Sequence, residues 1–118
     1  MKTEKLLTIV QNALEDKKGK DIKTLDVHKI SSFTDFMVIV TGRTARQVSA
    51  LAQHVIEESK SYGYRPLGDE GSQAGEWALV DLGDIIVHVM QPQTRDFYQL
   101  EKLWGEMDNE ALLGNEAF

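Results

Sequence analysis

The sequence lacks cysteine entirely and holds only two prolines in 118 residues. Without cysteine there is no disulfide framework, no thiolate metal site and no cysteine nucleophile. The longest unbroken apolar run covers residues 36–40, far short of the roughly 18 residues that indicate a membrane-spanning helix. The amino-terminal stretch mixes acids with apolar residues and has no small-residue cleavage site, so it predicts a helix rather than a signal peptide. We therefore expect a cytoplasmic protein.

Positive charge is also scarce, with 13 Lys and Arg against 19 Asp and Glu, a net charge of −6. A broad grip on nucleic acid needs cations against the phosphates, so this composition argues against it. The last 14 residues carry acids but neither Lys nor Arg. An acidic domain favours a basic partner. We expect a single domain over residues 1–104, followed by an acidic, partly disordered tail over residues 105–118.

Hydrophobic periodicity gives the element order α-β-β-α-β-β-β-α. Apolar residues at spacings of three and four predict a helix over about 3–18, and Thr44 with Gln47 matches the capping box of a second helix. A third helix is predicted to begin at a Thr94 cap, with Tyr98 and Trp104 on its apolar stripe. The strands are predicted near residues 24–28, 35–42, 65–67, 77–82 and 85–90. The pattern predicts an α/β fold of the mixed α+β kind, with about five strands in one mixed sheet and helices packed on it.

The clearest strand pair flanks Gly83 and Asp84, a dipeptide suited to a two-residue hairpin turn. Counting outward from that turn, cross-strand partners share a face. One predicted face is wholly apolar and belongs against the helices: Ala78, Val80, Leu82, Ile85, Val87 and Val89. The other face is apolar with a polar fringe: Trp77, Leu79, Asp81, Ile86, His88 and Met90.

The second face has the composition of a partner-binding site, since Trp and Met are enriched at interface centres. We predict that Trp77, Leu79 and Met90 are apolar anchors, that Asp81 pairs with a Lys or Arg, and that His88 forms a hydrogen bond. The alternative is that another helix covers this face. An exposed apolar face could also self-associate, which would give a homodimer.

Signals for catalysis are scattered. None of the three histidines forms an H-x-x-x-H or H-E-x-x-H pair, so no metal or other cofactor is predicted. The turn at residues 42–44 resembles an anion-binding helix start but lacks the phosphate-loop and dinucleotide glycine patterns. Asp81 and Asp84 flank and enter a turn instead of forming a carboxylate pair on one strand. A small nucleotide-binding enzyme using Asp81, Asp84 and this turn remains the alternative to a non-enzymatic binder.

Three long stretches carry a family resemblance: LDVHKISSFTDFMVIVTGRTARQV, GEWALVDLGDIIVHVM and TRDFYQLEKLW. Together they closely resemble the ribosomal silencing factor RsfS, or Iojap-like, family, over about residues 6–104. The resemblance implies a fold similar to the nucleotidyltransferase core, without its catalytic carboxylates and without enzymatic use.

The same resemblance implies a function and a partner. Members of the family bind the large ribosomal subunit through its ribosomal protein number fourteen and block joining of the small subunit, which represses translation when nutrients run short. They are also connected with maturation of the large subunit. The resemblance therefore implies a translational repressor that recognises no specific nucleic acid sequence and no membrane.

Overall fold

The structure is a computed structural model that describes residues 2–104. The acidic tail predicted over residues 105–118 lies outside the described residues. The helices are α1 (Lys2–Asp16), α2 (Ala45–Ser61) and α3 (Pro92–Tyr98). The strands are β1 (Lys20–Asp26), β2 (Phe36–Thr41), β3 (Gly68–Glu70), β4 (Trp77–Asp81) and β5 (Ile85–Met90). Their order along the chain is the one predicted from the sequence.

The strands form one five-stranded sheet in the order β1-β2-β5-β4-β3. The central pair, β2 and β5, is parallel, and the other three pairs are antiparallel. A parallel pair needs a long crossover connection, and here α2 lies within it. The predicted α/β fold with a mixed sheet is confirmed.

The main core lies between one face of the sheet and helices α1 and α2. All six members of the predicted apolar face are buried there together with the apolar stripes of both helices. Within the part of the chain that the structure describes, no helix is long and apolar enough to cross a membrane. Because α1 and α2 cover this face, only the opposite face of the sheet is available for contacts with other segments or with a partner.

The opposite face of the sheet carries a second, smaller core. Its fully buried members come from β2, β5 and the loop after β1: Val27, Met37, Ile39 and Met90. Partly buried side chains surround it: Leu25, Ile30, Trp77, Leu100 and Trp104. Strand β2 is therefore buried on both faces, which agrees with its unbroken run of apolar residues.

The hairpin register is the predicted one at every paired residue, from Trp77 opposite Met90 to Asp81 opposite Ile86. Gly83 takes a φ of +86°, a conformation that strains residues with a Cβ. The Asp81 carboxylate accepts a hydrogen bond from the Gly83 N–H at 2.9 Å. Gly83 thus permits the backbone conformation of the turn, and the Asp81 side chain stabilises it.

Helix α2 begins at the predicted cap but with a different partner for the glutamine. The Thr44 hydroxyl accepts from the Gln47 N–H at 3.1 Å. The Gln47 amide oxygen accepts from the Arg43 N–H at 2.7 Å, one residue earlier than a capping box requires. Its amide nitrogen donates to the carbonyls of Lys17 and Lys18. Gln47 therefore joins the start of α2 to the segment that follows α1.

Loss of the Thr44 cap should destabilise the domain. Thr44→Ala removes the acceptor for the Gln47 N–H, and we expect the free energy of unfolding to fall by about 1 kcal/mol. Urea denaturation of both proteins measures this difference. Thr44→Ser keeps a hydroxyl and is the matched control; equal losses in the two variants would contradict the capping role.

Two strand boundaries differ from the predictions. Strand β1 was predicted at 24–28 and lies at Lys20–Asp26, where a bulge and a φ of +50° at Asp21 interrupt its start. The short strand predicted at 65–67 lies three residues later, at Gly68–Glu70, and all three of its residues are exposed. Strands at sheet edges depend little on side-chain burial, so hydrophobicity is a weak guide to their limits.

The third helix also differs from the prediction of a Thr94 cap. It begins at Pro92, which occupies the first helical turn, and Gln91 is its cap residue. The helix ends at Tyr98 because Gln99 takes a left-handed conformation with a φ of +47°. Residues 100–104 are helical again. The predicted single helix is therefore two short segments with a bend between them.

Candidate docking surface

An indole lies on the second sheet face, at the start of β4. Trp77 and His88 are diagonal neighbours across the hairpin, within reach of long side chains. The Trp77 Nε1–H donates to His88 Nδ1 at 3.0 Å. The Tyr98 ring of α3 lies 4.8 Å from the Trp77 ring, between centroids, at an interplanar angle of 49°. This tilted arrangement is typical of favourable aromatic pairs.

The imidazole of His88 is almost fully buried, with 7% of the residue exposed. Burial penalises the charged form and lowers the pKa of His88 to about 4. The ring is therefore neutral at physiological pH. Since its Nδ1 accepts from Trp77, the proton lies on Nε2. The Nδ1 atom therefore orients Trp77, and the hydrogen bond predicted between His88 and a partner falls to the Nε2–H.

The five predicted contact residues do not all reach the surface. Trp77, Leu79 and Asp81 are partly exposed on β4. Met90 is 0% exposed and lies in the second core, so it has no surface to offer a partner. Met90 lies in the core next to Trp77, and His88, which is 7% exposed, supports the indole through its hydrogen bond.

Helix α3 adds aromatic surface that the sequence prediction missed. Tyr98 was expected in the core but is 51% exposed, and Phe97 beside it is 79% exposed. Their rings meet edge to face at 4.9 Å between centroids. Trp104, by contrast, packs partly buried against the second core, as expected. The aromatic surface therefore runs from Trp77 through Tyr98 to Phe97, and we call these three residues, with Leu79 and Asp81, the docking surface.

An arginine whose side chain is only 12% exposed holds α3 in place beside the sheet. Arg95 donates to the Asp21 carbonyl at 2.7 Å and to the Thr41 hydroxyl at 2.9 Å. Its guanidinium also pairs with Glu101 through two nitrogens, at 2.8 and 2.6 Å. These contacts join α3 to β1, β2 and the 100–104 segment. The position of Tyr98 relative to Trp77 is therefore fixed by an arginine one helical turn away.

The parts of the alternative nucleotide site lie far apart. Asp84 precedes β5, next to the start of β2, where its carbonyl accepts from Asp35 and Phe36 N–H groups. The turn at 42–44 follows the other end of β2, where the Gly42 N–H donates to the Met90 carbonyl. The six-residue strands between these ends are about 20 Å long. An open cleft of about 680 Å³ adjoins Arg43, but neither Asp81 nor Asp84 lines it. The constellation predicted for an enzyme is not assembled.

The fold and the surface define a small α/β domain with an aromatic patch on one sheet face. A family model described as ribosomal silencing factor during starvation matches residues 1–117. The ribosomal silencing factor RsfS of Chromobacterium violaceum is 47% identical over 105 residues, covering 89% of this chain and 86% of that protein. The chain belongs to the ribosomal silencing factor family.

One solved structure and one mammalian protein are also similar to this chain. A crystal structure of a Chromobacterium violaceum protein superposes with a TM-score of 0.87 at 47% identity, covering 89% of this chain and 88% of that one. A mouse protein named mitochondrial assembly of ribosomal large subunit protein 1 is 31% identical over 101 residues, covering 83% of this chain and 44% of that protein. The family resemblance and the fold class expected from the sequence are confirmed.

Proposed function

We propose that this chain is a translational repressor that binds the large ribosomal subunit and sterically blocks joining of the small subunit. Membership of the silencing factor family supports a role at the ribosome. The observation that carries the proposal is the run of aromatic rings from the partly exposed Trp77 to the exposed Tyr98 and Phe97. Exposed aromatic rings held by a buried support are typical of the energetic centre of a protein interface.

The proposed contact on the subunit is ribosomal protein number fourteen, through a basic patch. The net charge of −6 favours encounter with a basic partner, because opposite potentials steer association. Asp81 uses one carboxylate oxygen to hold Gly83, and a carboxylate can accept further hydrogen bonds from a Lys or Arg. Trp77 and Leu79 supply apolar contact beside it.

The mechanism requires occupancy and bulk, and no chemical step. An interface of standard size, roughly 1,600 Å², is sufficient for specific binding. A domain bound where the small subunit docks then excludes it. This action takes place in the cytoplasm, where bacterial ribosomes join. The name of the mouse relative, which refers to large-subunit assembly, supports an additional role in maturation of the large subunit.

Sedimentation tests the proposal. Purified chain is mixed with isolated large subunits, small subunits are added afterwards, and the mixture is separated on a sucrose gradient at low salt. We expect the chain to migrate with large subunits and the yield of joined ribosomes to fall. A chain that stays at the top of the gradient, or that binds without reducing joining, would contradict the proposal.

Self-association is the competing use of the same surface. A homodimer through Trp77 and Tyr98 would hide the docking surface from the ribosome. Equilibrium sedimentation of the chain alone measures this. We expect any dimer to dissociate as large subunits are added; a dimer that binds large subunits intact would place the docking surface elsewhere.

A further inference from the structure

Three potential metal ligands meet between α1 and α2: Asp16, His54 and Glu58. One ligand atom from each lies within 4.8 Å of the other two. The His54 Nε2 and Asp16 Oδ2 atoms lie 3.4 Å apart. Asp16 is the last residue of α1, whereas the other two are one helical turn apart on α2. The cluster therefore joins two helices that are far apart in sequence.

The cluster belongs to the stripe of α2 that faces α1. Members of that stripe recur at spacings of four, three and four residues, which places them on one helical face: Gln47, Leu51, His54 and Glu58. Gln47 donates to two carbonyls just after α1. Gly19 approaches Leu51 so closely that a Cβ on Gly19 would lie 3.3 Å from the Leu51 side chain. The backbone that carries Asp16 is therefore held against α2 by contacts other than the cluster itself.

The donor set suits a borderline transition metal. Imidazole nitrogen together with carboxylate oxygen binds Zn²⁺ at about 2.0–2.2 Å, so two ligands of one tetrahedral zinc lie about 3.3 Å apart. The His54–Asp16 separation of 3.4 Å already matches that distance. None of the separations exceeds 4.8 Å, so none must shorten by more than about 1.5 Å. The Asp16 side chain is 63% exposed and can rotate to make that adjustment.

We propose that Asp16, His54 and Glu58 bind one Zn²⁺ ion, with water as the fourth ligand. Hard cations such as Mg²⁺ favour all-oxygen sites, so the imidazole selects for zinc over magnesium. The ion links the end of α1 to the middle of α2 and stabilises the helical layer. This layer covers the face of the sheet opposite the docking surface, so the inference does not depend on the proposed ribosomal function.

Calorimetric titration of the full, metal-free chain with zinc chloride tests the site. We expect one equivalent of Zn²⁺ to bind at neutral pH and no comparable binding of Mg²⁺. His54→Ala should weaken zinc binding at least roughly tenfold, since even the loss of a residue supporting a metal ligand has effects of this size. Glu58→Gln and Asp16→Asn should weaken it in the same direction. His28→Ala is the matched control, because His28 also pairs with an aspartate, Asp26, outside the cluster.

Thermal unfolding provides a second readout. Zinc should raise the unfolding temperature of the parent chain and of His28→Ala, because a ligand that binds only the folded state stabilises it. It should leave His54→Ala unchanged. Equal zinc affinity in the parent and His54→Ala would overturn the inference, as would equal binding of Mg²⁺ and Zn²⁺, or no binding to the parent. If zinc instead binds at His28, the His28→Ala variant loses zinc binding, and this result would also contradict the inference.

Discussion

Replacing Trp77 with alanine should weaken binding to large ribosomal subunits by about 2 kcal/mol or more, roughly thirtyfold in the dissociation constant. The indole lies at the centre of the docking surface, between the buried His88 and the half-exposed Tyr98. Truncation to alanine removes the contact area of the indole, and it leaves His88 and Tyr98 without the ring that they hold in position. Co-sedimentation across a range of chain concentrations gives the dissociation constant.

The controls separate docking from folding. Gln53→Ala changes an exposed residue of α2, on the opposite side of the sheet, and should bind as the parent does. Tyr98→Ala keeps the Trp77–His88 hydrogen bond and should weaken binding in the same direction as Trp77→Ala. If Trp77→Ala unfolds the domain, Tyr98→Ala still tests the surface. If either the Trp77→Ala or the Tyr98→Ala variant is folded and binds large subunits as tightly as Gln53→Ala, the interface lies elsewhere.

Acid should destabilise this domain through His88. The folded-state pKa is lowered from 6.5 to about 4 by burial. Between these values the unfolded chain binds a proton that the folded chain does not. Protonation of His88 therefore has no effect on the free energy of unfolding above pH 6.5, and it lowers that free energy as the pH falls toward 4. Because one pKa unit corresponds to about 1.4 kcal/mol, the contribution is about 3 kcal/mol.

Urea denaturation at a series of pH values between 4 and 7 measures this contribution. His88→Asn places a neutral carbonyl near the position of Nδ1, so it can still accept from the Trp77 indole. We expect this variant to have a flatter dependence of unfolding free energy on pH. His28→Asn changes a half-exposed histidine and should keep the parent slope. A parent slope that persists in His88→Asn would show that another group is responsible.

The hairpin shows what a sequence can determine. A two-residue turn fixes the register of the strands it joins, and alternation then assigns each side chain to a face. For that reason the pairing of Trp77 with Met90 and the apolar face against the helices were predictable from residues 77–90 alone. The pairing also placed Trp77, Leu79 and Asp81 correctly on the outer face.

The depth of each residue on that face was not predictable in the same way. Met90 is buried because it packs with β2, about fifty residues earlier in the chain, and with the 100–104 segment beyond the bend at Gln99. Tyr98 is exposed at the end of α3, because the backbone turns left-handed at Gln99, five residues before the predicted end of the helix at Trp104. Local periodicity carries no information about such coverage. The cluster between α1 and α2 was missed for the same reason, since Asp16 and His54 meet only through packing of two helices.

The outermost strands limit how copies of this chain can associate. Strand β3 is three exposed residues long, with two acids, and β1 carries lysines and a bulge at its start. Short, charged or bulged edges resist the addition of a strand from another chain, which is the first step of fibril growth. A protein with aromatic rings exposed on one sheet face gains from this arrangement, because it can accumulate without polymerising along the sheet.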